Sequence, residues 1–95
     1  NGGSALSGPA YAIAKAGIVN LSRYLAKEWA AAGVRVNCVA PGPIDSPMLD
    51  RLGVDVRASL ARAVPLGRVG RAEEVAASVR FLCSPDAAFL TGTVH

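Results

Sequence analysis

Aromatic side chains are scarce in this 95-residue chain: Tyr11, Tyr24, Trp29, Phe81 and Phe89 are all it has. β-Sandwiches and barrels draw heavily on aromatic and β-branched residues, so this scarcity, beside ten glycines and six prolines, suits a helix-rich α/β layer. Long apolar runs are missing as well. Lys15, Arg23, Lys27 and Glu28 interrupt the longest helical segment, well short of the roughly 20 apolar residues of a membrane span, and no membrane partner is expected. The chain has neither an initiator methionine nor the basic and apolar regions of a secretory signal, so further sequence is expected upstream. Cysteine is limited to Cys38 and Cys83, with no C-x-x-C pair and no metal-ligand spacing. No metal is expected, and both residues read as buried thiols in a reducing, cytoplasmic compartment.

A basic block is also absent. The net charge of +3 comes from ten lysines and arginines against seven acids, with the arginines spread from Arg23 to Arg80. Only Arg68 and Arg71 fall close together, and no aromatics are interleaved, so no nucleic-acid partner is expected. What is present is apolar content: 52% hydrophobic against 18% charged side chains, a balance that excludes intrinsic disorder. A chain this short buries only about two-thirds of its unfolded surface, so its core will be thin.

Residues 1 to 8 are loop chemistry, and Pro9 suits the first position of a helix, where its missing N–H costs nothing. Ile18, Leu21, Leu25 and Trp29 follow at steps of three and four as an apolar stripe, and the helix is expected to reach about Ala32 and stop at Gly33. Residues 34 to 39, Val-Arg-Val-Asn-Cys-Val, read as a buried parallel strand, and Pro41-Gly42-Pro43 with Pro47 as an irregular loop. Residues 48 to 63 are weakly helical around Gly53, fitting either two short helices or a mobile lid. A second clear helix runs from Arg71 to Cys83, with Glu73 and Glu74 complementing its dipole and Val75, Val79 and Leu82 on one side; Thr91 to His95 begins another strand. Two αβ steps without an opening strand cannot close a doubly wound sheet. Residues 1 to 95 therefore read as the carboxyl-terminal portion of a single domain.

Tyr11 and Lys15 are four apart in the first turns of the first helix, hence on one face with Cβ atoms about 5–6 Å apart. A phenol is a poor base at neutral pH, but a lysine cation ~5 Å away at an effective dielectric of ~20 favours the phenolate by about 3 kcal/mol, and a helix N-terminus adds up to ~1. Such a tyrosine can exchange a proton with a hydroxyl or carbonyl oxygen. The plain alternative is a core aromatic beside a solvated lysine. Ligands of open α/β sheets bind beyond the carboxyl ends of strands, where the Pro41-to-Met48 loop would lie. There Gly42 lets a backbone approach closely, Ile44 offers main-chain groups and Ser46 a hydroxyl, although an ordinary sheet-to-helix turn would look similar.

Together these residues resemble the classical short-chain dehydrogenase/reductase family over nearly the whole chain. Tyr11-Ala12-Ile13-Ala14-Lys15-Ala16-Gly17 is similar to its Y-x-x-x-K active-site helix. Val34-Arg35-Val36-Asn37 followed by Ala40-Pro41-Gly42 is similar to its sixth strand and nicotinamide loop. Residues 71 to 76 with Phe81-Leu82 and Thr91-Gly92 are similar to its last helix and the entry to its last strand.

The resemblance implies the carboxyl-terminal part of a doubly wound parallel-sheet, Rossmann-like α/β domain, truncated at both ends. It implies NAD or NADP as cofactor and a small-molecule secondary alcohol or ketone as substrate, as in 3-oxoacyl-carrier-protein reductases and polyol or steroid dehydrogenases. Tyr11 would be the general acid/base, and Lys15 would lower its pKa and bond the nicotinamide ribose. Pro41, Gly42 and Ile44 would hold the carboxamide, and Ser46 stands where the family usually has threonine. Ala14 replaces a frequent serine, and Gly17 would permit close approach inside the helix. The catalytic serine and the glycine-rich phosphate loop would precede Asn1, so the isolated chain is expected to be inactive, while the complete enzyme would be a homo-oligomer, dimeric or tetrameric. His95 has no partner in view. A non-catalytic helical association module derived from such a domain is the alternative.

Overall fold

A computed structural model describes residues 8–95, which fall into two compact units: the chain through Cys38 together with Ala88–His95, and Val39–Ala87. Residues 1 to 7, part of the segment read above as loop, lie outside the described residues.

The first unit is built on α1 (Pro9–Trp29), which Pro9 opens as its sequence position predicts. The cap is backbone only: the Gly8 carbonyl accepts from Tyr11 N at 3.1 Å and Ala12 N at 3.2 Å. Lys27 in the last turn faces the negative end of the helix dipole. A 3₁₀ turn at Ala30–Ala32 tightens the end, and Gly33 closes it in the left-handed region at φ 77°, its N–H donating to Ala30 O at 2.9 Å. An L-side chain there would cost about 1–2 kcal/mol.

The expected strand at residues 34 to 39 is not formed as a strand. Cys38 and Val94 make a single parallel bridge, with Cys38 N donating to Thr93 O and His95 N to Cys38 O, both at 2.9 Å. Upstream of it one backbone bond, Gly92 N donating to Val36 O at 2.7 Å, is joined by side-chain bonds. Val36 N donates to Thr91 Oγ1 at 3.1 Å, while Arg35 Nη1 and Asn37 Nδ2 both reach Leu90 O, at 3.1 and 2.9 Å. The left-handed turn at Gly92 (φ 70°) diverts the partner backbone, so evenly spaced parallel pairing cannot run on. The parallel direction agrees with the doubly wound expectation; the burial does not, since residues 35 to 39 are half-buried and Val34 is exposed.

In the second unit Ser46 caps α2 (Pro47–Arg51), its Oγ accepting from Leu49 N at 3.2 Å. Gly53 at φ 96° separates α2 from α3 (Val54–Ala63), so the segment from 48 to 63 forms two short helices. A parallel bridge joins Ile44 to Gly70, and α4 (Ala72–Leu82) follows. Its N-terminus is secured by Glu74, whose carboxylate accepts from Arg71 N at 2.8 Å and from Arg68 Nη1 and Nη2 at 2.7 Å each. A 3₁₀ turn at Pro85–Ala87 ends the unit.

The core is thin: Ala26 in the first unit, and Leu49, Val69, Leu82 and Ala87 in the second, are the buried apolar residues. Of the expected α1 stripe only Leu25 is half-buried, while Ile18, Leu21 and Trp29 are exposed; on α4, Leu82 is buried and Val79 is not. The cysteine expectation needs the same correction, because Cys38 is half-buried and Cys83 exposed. Neither is in a disulfide. Periodicity marks which face is apolar, and only the elements packed against it decide whether that face is covered. No helix among the described residues is long and apolar enough to cross a membrane.

Candidate functional site

The first group of candidate residues sits at the start of α1. Tyr11 is in its first turn, near the positive end of the helix dipole, and Lys15 is one turn further on. The Lys15 ammonium lies 5.5 Å from the centroid of the Tyr11 ring, within cation–π reach. Tyr11 is 45% exposed in this chain. Among the described residues Gly17 has nothing within 4 Å of a Cβ built on it, so the close approach expected inside the helix is not made there.

The second group lies on the loop that enters α2. Pro41 and Gly42 are exposed, and a Cβ on Gly42 would meet nothing within 4 Å, so nothing in this chain's own packing requires glycine there. Ile44 is half-buried and bridged to Gly70 through its neighbours, with Gly70 N donating to Pro43 O at 2.9 Å and Asp45 N to Gly70 O at 2.8 Å. In a parallel bridge made this way, the N–H and C=O of the bridging residue point to the opposite side. Ile44 thus presents one donor and one acceptor away from Gly70. Ser46 uses an oxygen lone pair on Leu49 N and keeps its hydroxyl hydrogen to donate. Among the described residues no cluster of three or more His, Cys, Asp or Glu side chains could hold a metal.

Two features were not legible in the sequence. Arg57 on α3 donates through Nη1 to Asp45 Oδ1 at 2.8 Å and to Asp50 Oδ1 at 3.4 Å. The hydrogen bond and charge of Arg57 hold the Asp45 carboxyl below its usual range, and the Asp45 bond holds Arg57 above its own. Asp45 and Arg57 are twelve positions apart on different elements, a separation that no local pairing rule reaches. His95 has a partner after all: its Nε2 meets Thr93 Oγ1, whose single hydrogen is given to Asn37 Oδ1 at 2.7 Å. The Nε2 atom is therefore the donor, and this histidine is not a base for Thr93.

Residues 3–95 match the family model described as enoyl-(acyl carrier protein) reductase. Over 96 residues the chain is 48% identical to the 3-oxoacyl-(acyl-carrier-protein) reductase FabG of Escherichia coli (strain K12), covering 100% of this chain and 38% of that protein. It is 49% identical over 84 residues to a cis-4-hydroxycyclohexanecarboxylate dehydrogenase of Sinomonas cyclohexanicum, covering 88% of this chain and 34% of that one. An uncharacterized short-chain type dehydrogenase/reductase of Sinorhizobium fredii is 48% identical over 88 residues, or 88% of this chain and 16% of that protein. The chain belongs to the short-chain dehydrogenase/reductase family, and that membership places it in the Rossmann-like α/β class. It spans about a third of the length of the first two relatives.

Proposed function

We propose that this chain supplies the proton-transfer residues and the nicotinamide end of the cofactor site of a short-chain oxidoreductase that interconverts a secondary alcohol and a ketone. The observation that carries the reading is the accessible Tyr11 phenol with the Lys15 ammonium 5.5 Å from its ring at the start of α1. A non-catalytic association module has no use for that pairing. In alcohol oxidation Tyr11 Oη accepts the proton of the substrate hydroxyl, and in ketone reduction it donates a proton to the carbonyl oxygen. Lys15 stabilises the phenolate form between these events and holds the ribose hydroxyls. Pro41 and Gly42 leave room at the loop surface, Ile44 offers its amide and carbonyl to the carboxamide, and Ser46 donates its remaining hydrogen. NAD or NADP, when bound, accepts or delivers the hydride.

The relatives named for 3-oxoacyl and hydroxycyclohexanecarboxylate substrates support a carbinol or ketone carried by an acid or acyl chain as the substrate class. The exposed Met48 and Leu52 around α2 suit an apolar or mixed substrate surface. A homo-oligomeric, cytoplasmic enzyme fits the exposed Ile13, Ile18, Leu21 and Tyr24 on α1 and the two unpaired thiols. The deciding assay follows nicotinamide absorbance in the complete polypeptide carrying this sequence, with NADH and NADPH against a 3-oxoacyl thioester and a cyclic 4-oxo acid. Reduction of either ketone supports the reading, and turnover of neither, together with none of simple cyclic and open-chain ketones, removes it.

A further inference from the structure

The loop from Pro43 to Ser46 is held from two sides, and the two holds differ in kind. One is backbone: the bonds to Gly70 fix the path of Pro43 and Asp45. The other is a single guanidinium, Arg57 Nη1, at 2.8 Å from Asp45 and 3.4 Å from Asp50, so the loop, α2 and α3 meet on one donor. Arg57 closes the first turn of α3, its N–H donating to Gly53 O at 3.1 Å. That end of a helix carries positive partial charge and disfavours a cation, so the helix itself does not explain an arginine there, whereas the two aspartates do. Asp45 stands between Ile44, whose main-chain groups face away from Gly70, and Ser46, whose hydroxyl keeps a free hydrogen.

We propose that Arg57 is a positioning residue that sets the Ile44–Ser46 segment for the nicotinamide carboxamide by clamping Asp45 to α3. This rests on the function proposed above. It makes the helices that follow the loop part of cofactor recognition: withdrawing α3 releases Asp45 and with it the neighbouring amide and hydroxyl. Asp50, at the longer distance, is the lesser partner.

The test measures dissociation constants for NADH and NADPH, with kcat and KM, in the complete polypeptide and its R57Q, R57K, D45N and D50N variants. R57Q should weaken binding of the preferred dinucleotide about three- to tenfold, the size expected of one half-exposed charged bond. R57K should recover part of the loss, D45N should match R57Q, and D50N should stay within about twofold. The D45N/R57Q double variant should be no weaker than either single one, since both delete the same bond. D45N, nearly isosteric, keeps the idea open to refutation if R57Q folds poorly. Binding by D45N within twofold of wild type, or losses that multiply in the double variant, would overturn it. Tyr11→Phe measured in parallel separates the two readings: full turnover by that variant refutes the proposed function, whereas its collapse beside an unaffected D45N refutes only the clamp. Binding of neither dinucleotide by the wild type refutes both.

Discussion

Asn37 Oδ1 accepts both the N–H of Thr93, at 3.2 Å, and its hydroxyl, at 2.7 Å, so one side-chain oxygen joins the two extended segments of the first unit. With its Nδ2 on Leu90 O at 2.9 Å, Asn37 supplies the cross-links that a continuous ladder would otherwise make. Asn37→Ala removes one partner each from Thr93 N, Thr93 Oγ1 and Leu90 O, of which Leu90 O keeps Arg35 and Thr93 Oγ1 keeps His95, and should lower unfolding stability by about 1–3 kcal/mol, read from urea unfolding of the complete polypeptide. An unchanged midpoint would show that water replaces these bonds at no cost.

Tyr11→Phe deletes the transferable proton and keeps the ring beside Lys15. Turnover should fall by about 10²–10⁴-fold with little change in melting temperature. A variant that keeps more than about a tenth of wild-type kcat rules out acid/base work by this residue.

Lys15→Met retains the aliphatic stem and removes the ammonium from the Tyr11 ring. On the role proposed for Lys15 in charge and ribose binding, this change should lower kcat/KM by at least about tenfold and weaken dinucleotide binding too. Lys15→Arg should recover binding better than turnover, because the guanidinium carries the charge in a different shape. Steady-state kinetics with calorimetry separates the two effects, and equal recovery of both would argue against distinct roles.

Glu74, like Asp45, is an acid-sensitive point of the second unit. Arg68 first, and then the Arg71 backbone N–H, bring its pKa from 4.5 down to about 2. A carboxyl whose folded pKa is depressed contributes stability that is fully present above its unfolded value and is lost as pH falls through the folded one. The contribution should therefore be complete above about pH 5 and fade between roughly pH 4.5 and 2, in line with the cited shift. Glu74→Gln should flatten that part of the stability profile, and amide exchange at Arg71 should speed up in the variant at neutral pH. A wild-type profile already flat over this range would mean that water screens the Arg68–Glu74 pair completely.

What a few neighbouring residues can decide is legible along the chain. Pro9 and Gly33 bound α1 and its terminal turn because fixed φ and left-handed φ are properties of single residues. Glu73 and Glu74 mark the start of α4 because the helix dipole acts within one turn. The Tyr11–Lys15 pairing was legible for the same reason, since a four-residue step sets a distance once a helix forms. Three-dimensional packing was needed to settle which apolar faces are covered, that side chains of Asn37 and Thr91 supplement the few backbone bonds of residues 34 to 39, and that Cys83 is exposed. It alone brought Arg57 to Asp45. Burial and long-range pairing depend on which segment arrives opposite, and that is fixed by the summed packing of the chain and by no single stretch of it.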